Sequence, residues 1–356
     1  MIRIVRRPDP SRRRDIVTRL AAVFAALVCA SLIMAALGYN PVAVFSNIIV
    51  GSTGTAHRIR QTIVKAIPLT TLSLGVAVCF KMKFWNIGAE GQFYLGALFA
   101  TWTAYHFKTL PAGALLPLMF AASLIGGGLW ALIPAVLKSK FRTSEILVTL
   151  MLNYVATKFI TYLQYGPWKD QSAGGFAKMP KFVDAAVLPK LFGVHIGWII
   201  VLVLALAVHI LLAKTKLGYE ISVIGESETT ARYAGISVAG VTAAAVMIGG
   251  GLCGAAGFMQ ASAIEKSLTD QLSAGLGFTA VITAWLARLS APAVVVVSLL
   301  FAALLQGSAY IQTALQVPSA VADILQGVIL FFVLGSEFFL NYRLVRTQSS
   351  EKEAVK

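Results

Sequence analysis

The chain has 356 residues, a formal net charge of +15, 58% apolar side chains and only 13% charged ones. A soluble domain carries about 25% charged residues, so this balance, with a mean hydropathy of +0.78, excludes a soluble fold. It also turns the basic excess away from nucleic acid and towards membrane-flanking loops. Cys29, Cys79 and Cys253 lie singly in apolar runs without CxxC spacing, which indicates neither a disulfide framework nor a zinc site.

Residues 1–19 read as a basic cytoplasmic tail. The "RRR" before an apolar run resembles a signal peptide, but nine more apolar runs follow, so a retained first helix is expected. Runs of roughly 20 apolar residues suit a hydrocarbon core of about 30 Å. They fall at 20–38, 63–80, 92–107, 112–137, 146–165, 194–213, 238–263, 276–288, 290–312 and 319–340. The expected fold is an all-α polytopic membrane protein with about ten transmembrane helices over 20–343. Residues 166–193 form an external loop and 344–356 a cytoplasmic tail. The run 276–288 reaches only about 20 Å as a helix. It is half of a broken helix, or its flanks extend it.

Positive charge orients the stack. With the N-terminus cytoplasmic, 20 of the 30 Lys and Arg fall inside, including Lys81, Lys83, Lys138, Lys140, Arg142, Lys214, Lys216, Arg232 and Arg288. That bias predicts both termini inside.

Two segments read alike in opposite directions. Glu145-Ile146-Leu147 opens one apolar run and Asp323-Ile324-Leu325 opens another. The first run crosses outward and the second inward, so the second half is expected to be an inverted copy of the first. Inverted repeats are a transporter architecture, with the pathway at the repeat interface. In this copy the polar stretch "FWNIGAEGQF" before run 92–107 corresponds to "SLTDQLSAGLGF" before run 276–288. A non-helical backbone at membrane depth survives only where protein or a water-filled cavity satisfies it. Asn86, Glu90 and Gln92, with Asp270 and Gln271 in the mirrored part, are therefore the pathway and gating candidates. The competing reading makes Glu90 and Asn86 caps of the helix at 92–107, paired with Lys81 or Lys83. "GGGLCG" fits G-x-G-x-x-G at Gly249, Gly251 and Gly254, but no strand precedes it. Its expected role is close helix packing through Gly250 and Gly254, four residues apart, with "IGGGLW" at 125–130 serving likewise.

The inner loop 214–237 carries a helix signal of its own. Ser227 is the expected N-cap, Glu228 favours the first turn, and Gly235 supplies a left-handed stop. Glu228 and Arg232 have the favourable i, i+4 order. A two-turn helix does not persist alone in water, so a partner must pack on it.

This segment, "LGYEISVIGESETTARYAGIS", resembles the cytoplasmic coupling segment of ABC importer permeases with the type II fold. "FWNIGAEGQ" closely resembles the signature of their nucleoside and simple-sugar branch, relatives of the branched-chain amino-acid permeases. "GLGFTAVITAWLARLSAP" resembles the second-half motif, departing from it at Ala287, where the branch usually has Gly. The resemblance implies a cytosolic ATPase, an extracytoplasmic substrate-binding protein and a second permease, often non-identical, within a lipid bilayer. It places Gly218, Gly225, Glu226, Ser227, Glu228, Ala231, Arg232 and Gly235 against the ATPase. No G-x-x-x-x-G-K-[ST] loop occurs, so ATP and Mg are expected on the partner and no cofactor on this chain. No H-E-x-x-H or G-x-S-x-G appears either, so no catalytic and no metal residues are expected. Neutral amides and hydroxyls within the runs suit a neutral polar solute. Nucleosides rank first, simple sugars second and branched-chain amino acids third. The alternative is a secondary transporter or channel, which would not need the 214–237 segment.

Overall fold

The computed structural model describes residues 2–6 and 12–346. In chain order the elements are β1 (Ile2–Arg6), α1 (Arg12–Ala36), α2 (Pro41–Thr53), α3 (Ala56–Lys81), α4 (Ala89–His106), α5 (Ala112–Phe141), α6 (Glu145–Tyr165), β2 (Lys190–Leu191), β3 (Val194–His195), α7 (Gly197–Lys214), α8 (Lys216–Glu226), α9 (Glu228–Tyr233), α10 (Val238–Gln260), α11 (Leu276–Leu286), α12 (Ala291–Ala314), α13 (Ser319–Asn341) and β4 (Tyr342–Arg346). A π turn, Ala261–Glu265, extends α10.

The all-α expectation holds, and each of the ten apolar runs lies in a helix. A count of ten spans is not confirmed. Among the described residues, six helices are long and apolar enough to cross a membrane. The pair Phe24–Ala36 and Pro41–Thr53, bent by 117°, adds a seventh. The opening turn of α4 contains Glu90 and Gln92, which lowers its apolarity, and α11 has only 11 residues. Sequence reasoning missed α2, which falls between the runs 20–38 and 63–80 and begins at a sharp corner after Asn40.

The chain divides into two compact units, one joining 1–52 with 304–356 and the other covering 53–303. In the first, Ala30, Met34, Val44, Ile48, Ile311, Ala322 and Leu325 form an apolar cluster. The tails expected at 1–19 and 344–356 are partly ordered here. Helix α1 already begins at Arg12, and β1 pairs antiparallel with β4, Ile4 opposite Leu344. Residues 1, 7–11 and 347–356 of those tails lie outside the described part.

In the second unit α3 and α10 are the central helices. They cross at a matched pair of G-x-x-x-C sequences, Gly75 to Cys79 and Gly249 to Cys253. A Cβ on Gly75 would meet the Gly249 carbonyl and the Cys253 sulfur. A Cβ on Gly249 would meet the Cys79 sulfur and the Gly75 carbonyl. The contact is thus its own mirror image. Helix α4 packs on α10 as α11 packs on α3. This is the geometry of an inverted repeat, in which α3 and α4 correspond to α10 and α11. Close approach by small residues is what drives helices together in lipid. Gly254 confirms the packing role of the glycine run, since it touches Gly96 of α4 and both Ser123 and Gly127 of α5.

Candidate functional site

The polar stretch before α4 is drawn wholly into the bundle. Asn86 is 0% exposed, Gln92 1% and Glu90 7%. Asn86 and Gln92 bond each other reciprocally: Asn86 Nδ2 donates to Gln92 Oε1 at 3.0 Å, and Gln92 Nε2 donates to Asn86 Oδ1 at 2.9 Å. The same Asn86 oxygen accepts from Gly88 N at 3.0 Å. The two amides therefore consume each other's hydrogen-bonding capacity and close the loop on itself.

Helix α4 has no side-chain cap of its own. Asn153 of α6 supplies one, its Oδ1 accepting from Gly91 N at 2.8 Å while its Nδ2 donates to Ile87 O at 2.8 Å. Asn153 thus bonds from one helix to the start of another. Glu90 does not cap its own helix, and no ion pair with Lys81 or Lys83 occurs among the described residues. Its carboxylate instead accepts from Gly277 N, at 2.8 Å, in the first turn of α11. The expected cap by Glu90 thus falls on α11 and not on its own helix, while Asn86 bonds locally to Gly88 N.

The mirrored part is less symmetric than expected. Gln271 is exposed. Asp270 is held mainly by its backbone: Tyr94 donates its hydroxyl to Asp270 O at 2.6 Å, and Asp270 N donates to Gln164 Oε1 at 2.9 Å. Thr161 Oγ1 donates to the Asp270 carboxylate at 3.3 Å. Tyr94, Thr161 and Gln164 were not among the candidates. Tyr94 stands four residues after Glu90, on the same helix face, which was the one available signal.

The inner segment resolves into two helices, where one was expected. Thr215 caps α8, its hydroxyl accepting from Gly218 N at 3.1 Å. Ser227 caps α9 as expected, accepting from Thr230 N at 3.2 Å. Arg232 meets Glu228 at 2.7 Å, and Gly235 has φ 75°. Gly218 is pressed against the Leu211 carbonyl and Gly225 against the Lys81 carbonyl. Ala231 is buried, while Glu226, Glu228, Arg232 and Gly235 are exposed and Ser227 is half-buried. Tyr219 and Tyr233 project outward at 67% and 89% exposure. Behind α8 and α9 lies a cleft of about 1030 Å³, lined in part by Lys83, Lys138, Arg142 and Glu145.

The family model described as "branched-chain amino acid transport system / permease component" matches residues 58–334. The chain belongs to this permease family. The permease is 35% identical over 340 residues to a glucose ABC transporter permease protein of Haloferax volcanii, covering 92% of this chain and 89% of that one. It is 30% identical over 334 residues to a guanosine ABC transporter permease protein of Bacillus subtilis, covering 91% and 94%. It is 26% identical to a nucleoside ABC transporter permease protein of Lactococcus lactis, covering 97% and 98%. No solved structure matches. The permease is therefore a multi-pass transport subunit of an ABC importer, not an enzyme.

Proposed function

We propose that this permease carries a neutral, hydroxyl-bearing solute inward, a nucleoside first and a simple sugar second. The observation that carries this reading is the similarity along nearly the whole chain to permeases named for guanosine, nucleosides and glucose. Guanosine, nucleosides in general and glucose share a ring with hydroxyls and no net charge. The 35% identity to the glucose permease keeps the sugar as a specific second reading.

The partners are a cytosolic ATPase that holds ATP and Mg, a second, non-identical permease and an extracytoplasmic binding protein. Both termini face the cytoplasm. The β1–β4 pairing supports this by bringing the two ends together, and so does the contact of Trp85 with Trp285, with centroids 5.4 Å apart. Trp85 stands near Lys83 in sequence and Trp285 near Arg288, cations that the charge bias places inside.

Glu226, Glu228, Arg232 and Gly235 meet the ATPase directly, with Tyr219 and Tyr233 beside them. Gly218, Gly225 and Ala231 act one layer deeper, by fastening α8 and α9 to α7 and the end of α3. ATP-driven movement of this segment tilts the two repeats, and access alternates. A ligand or partner state shifts such an equilibrium only through its differential binding.

The test is uptake of labelled guanosine, adenosine, ribose, galactose and leucine by cells with and without this chain, with ATPase-deficient cells in parallel. ATP-dependent loss of nucleoside uptake is expected. Loss of sugar uptake alone selects the second reading, loss of leucine uptake alone removes both, and no loss of any solute overturns the cargo class. In the same assay Gly235→Val should lower uptake several-fold with normal membrane insertion, because a β-branched residue is strained at φ 75°. Undiminished uptake in that variant counts against the docking role of α9.

A further inference from the structure

Helices α4 and α11 meet N-terminus to N-terminus. A Cβ built on Gly277 would lie 2.5 Å from Glu90 N and 2.7 Å from Glu90 Cα, so the two first turns touch backbone to backbone. Each helix N-terminus carries roughly +0.5 elementary charge. Two such ends in contact repel, and the site is screened from water. One full negative charge at the junction offsets both. The Glu90 carboxylate is that charge: it sits in the first turn of α4, 7% exposed, and bonds to Gly277 N in the first turn of α11. Helix α11 has no side-chain cap of its own, its N-cap being Gly275 at φ 83°. Ser273, on the loop leading into α11, is buried beside the Glu90 carboxylate. Gly277 has no room for a side chain, because its Cβ position lies 2.6 Å from Glu90 Oε2.

We propose that Glu90 is a positioning residue that holds the N-termini of α4 and α11 together across the two repeats by neutralising both at once. The contact joins elements 187 residues apart in sequence, one from each repeat. It is therefore strained or released whenever the repeats tilt. That consequence for transport rests on the importer reading above, whereas the positioning role itself does not.

The experiment uses the complete importer in lipid nanodiscs and vesicles. Hydrogen exchange is read at residues 276–279, and ATP-driven uptake is read alongside, for wild type, Glu90→Gln, Glu90→Asp and the double variant Glu90→Gln with Ser273→Asp. Gln keeps an acceptor but not the charge. Exchange at 276–279 should rise at least tenfold in E90Q, lie between in E90D, and return to within threefold of wild type in the double variant, where Asp restores a carboxylate from the other side. Uptake should follow the same order. A merely space-filling role predicts no recovery on adding S273D, and that outcome overturns the proposal, as does wild-type exchange in E90Q. If E90Q yields no folded protein, E90D decides alone: exchange equal to wild type overturns the proposal. Altered exchange with unaltered uptake upholds the positioning role and removes its link to the importer cycle, so the two failures are distinguishable.

Discussion

The break before α4 and the break before α11 occupy equivalent places in the two repeats, yet they are built from different materials. The first is made of side chains: Asn86, Asn153 and Thr149 satisfy its backbone, Ile87 N donating to Thr149 Oγ1 at 3.3 Å, and Gln92 holds Asn86 in place. The second is made of backbone freedom, with Ala274 at φ 47°, Gly275 at φ 83° and Gly277 pressed on the other helix. It borrows its one charged partner, Glu90, from the first. The lesson is that a shared architecture constrains where the chain is interrupted, while the means of satisfying the interruption are free to differ.

The largest expected effect breaks the side-chain half. Asn86→Ala strands the Gln92 amide and the Gly88 N–H in a buried site, at about 1–3 kcal/mol for each unsatisfied group. A clear fall in melting temperature in nanodiscs is expected, with reduced uptake, and a wild-type melting curve would sink the claim that these amides close the loop. The next effect strikes the backbone half. Gly277→Ala puts a methyl against the backbone of Glu90, and overpacking of this kind costs about 1–3 kcal/mol. Gly275→Ala, with nothing within 4 Å of its added Cβ, should cost only about 1–2 kcal/mol for the left-handed conformation. If Gly275→Ala proves the more damaging of the two, the junction is governed by loop conformation and not by contact between helices.

At neutral pH the smallest effect lies outside both breaks, at a group that acts only as the medium turns acid. His195, in the β2–β3 hairpin, is 3% exposed and neither ring nitrogen has a partner. Burial first, and then nearby Lys190, push its pKa down to about 4. The unfolded imidazole titrates near 6.5, so between those values the unfolded chain binds the extra proton. Stability from this group is full above about 6.5 and is lost as pH falls towards 4, by at most roughly 1.4 kcal/mol per unit. His195→Leu should flatten the acid limb of a thermal-stability profile. An unchanged limb would assign the acid sensitivity elsewhere.

Much of the molecule was legible without its structure. The α9 cap, its Glu228–Arg232 pair and the Gly235 stop are signals between residues a turn apart, where sequence spacing and spatial distance are the same thing. The packing role of Gly250 and Gly254 was legible for a similar reason, since four residues on a helix share a face. The corner at Tyr39-Asn40-Pro41 was not, because an apolar run gives no sign of bending into a second helix.

The sequence by itself determined the membrane class, the ten apolar runs that become helices, and the local capping of α9. Only the tertiary structure decided what the polar residues do. Asn153 reaches Gly91 across 62 positions, Tyr94 reaches Asp270 across 176, and Glu90 reaches Gly277 across 187. A buried polar group must find a partner because desolvation is costly, and that requirement can be read from the chain. Which partner it finds depends on which helices the glycine contacts bring together, and no local pattern carries that choice.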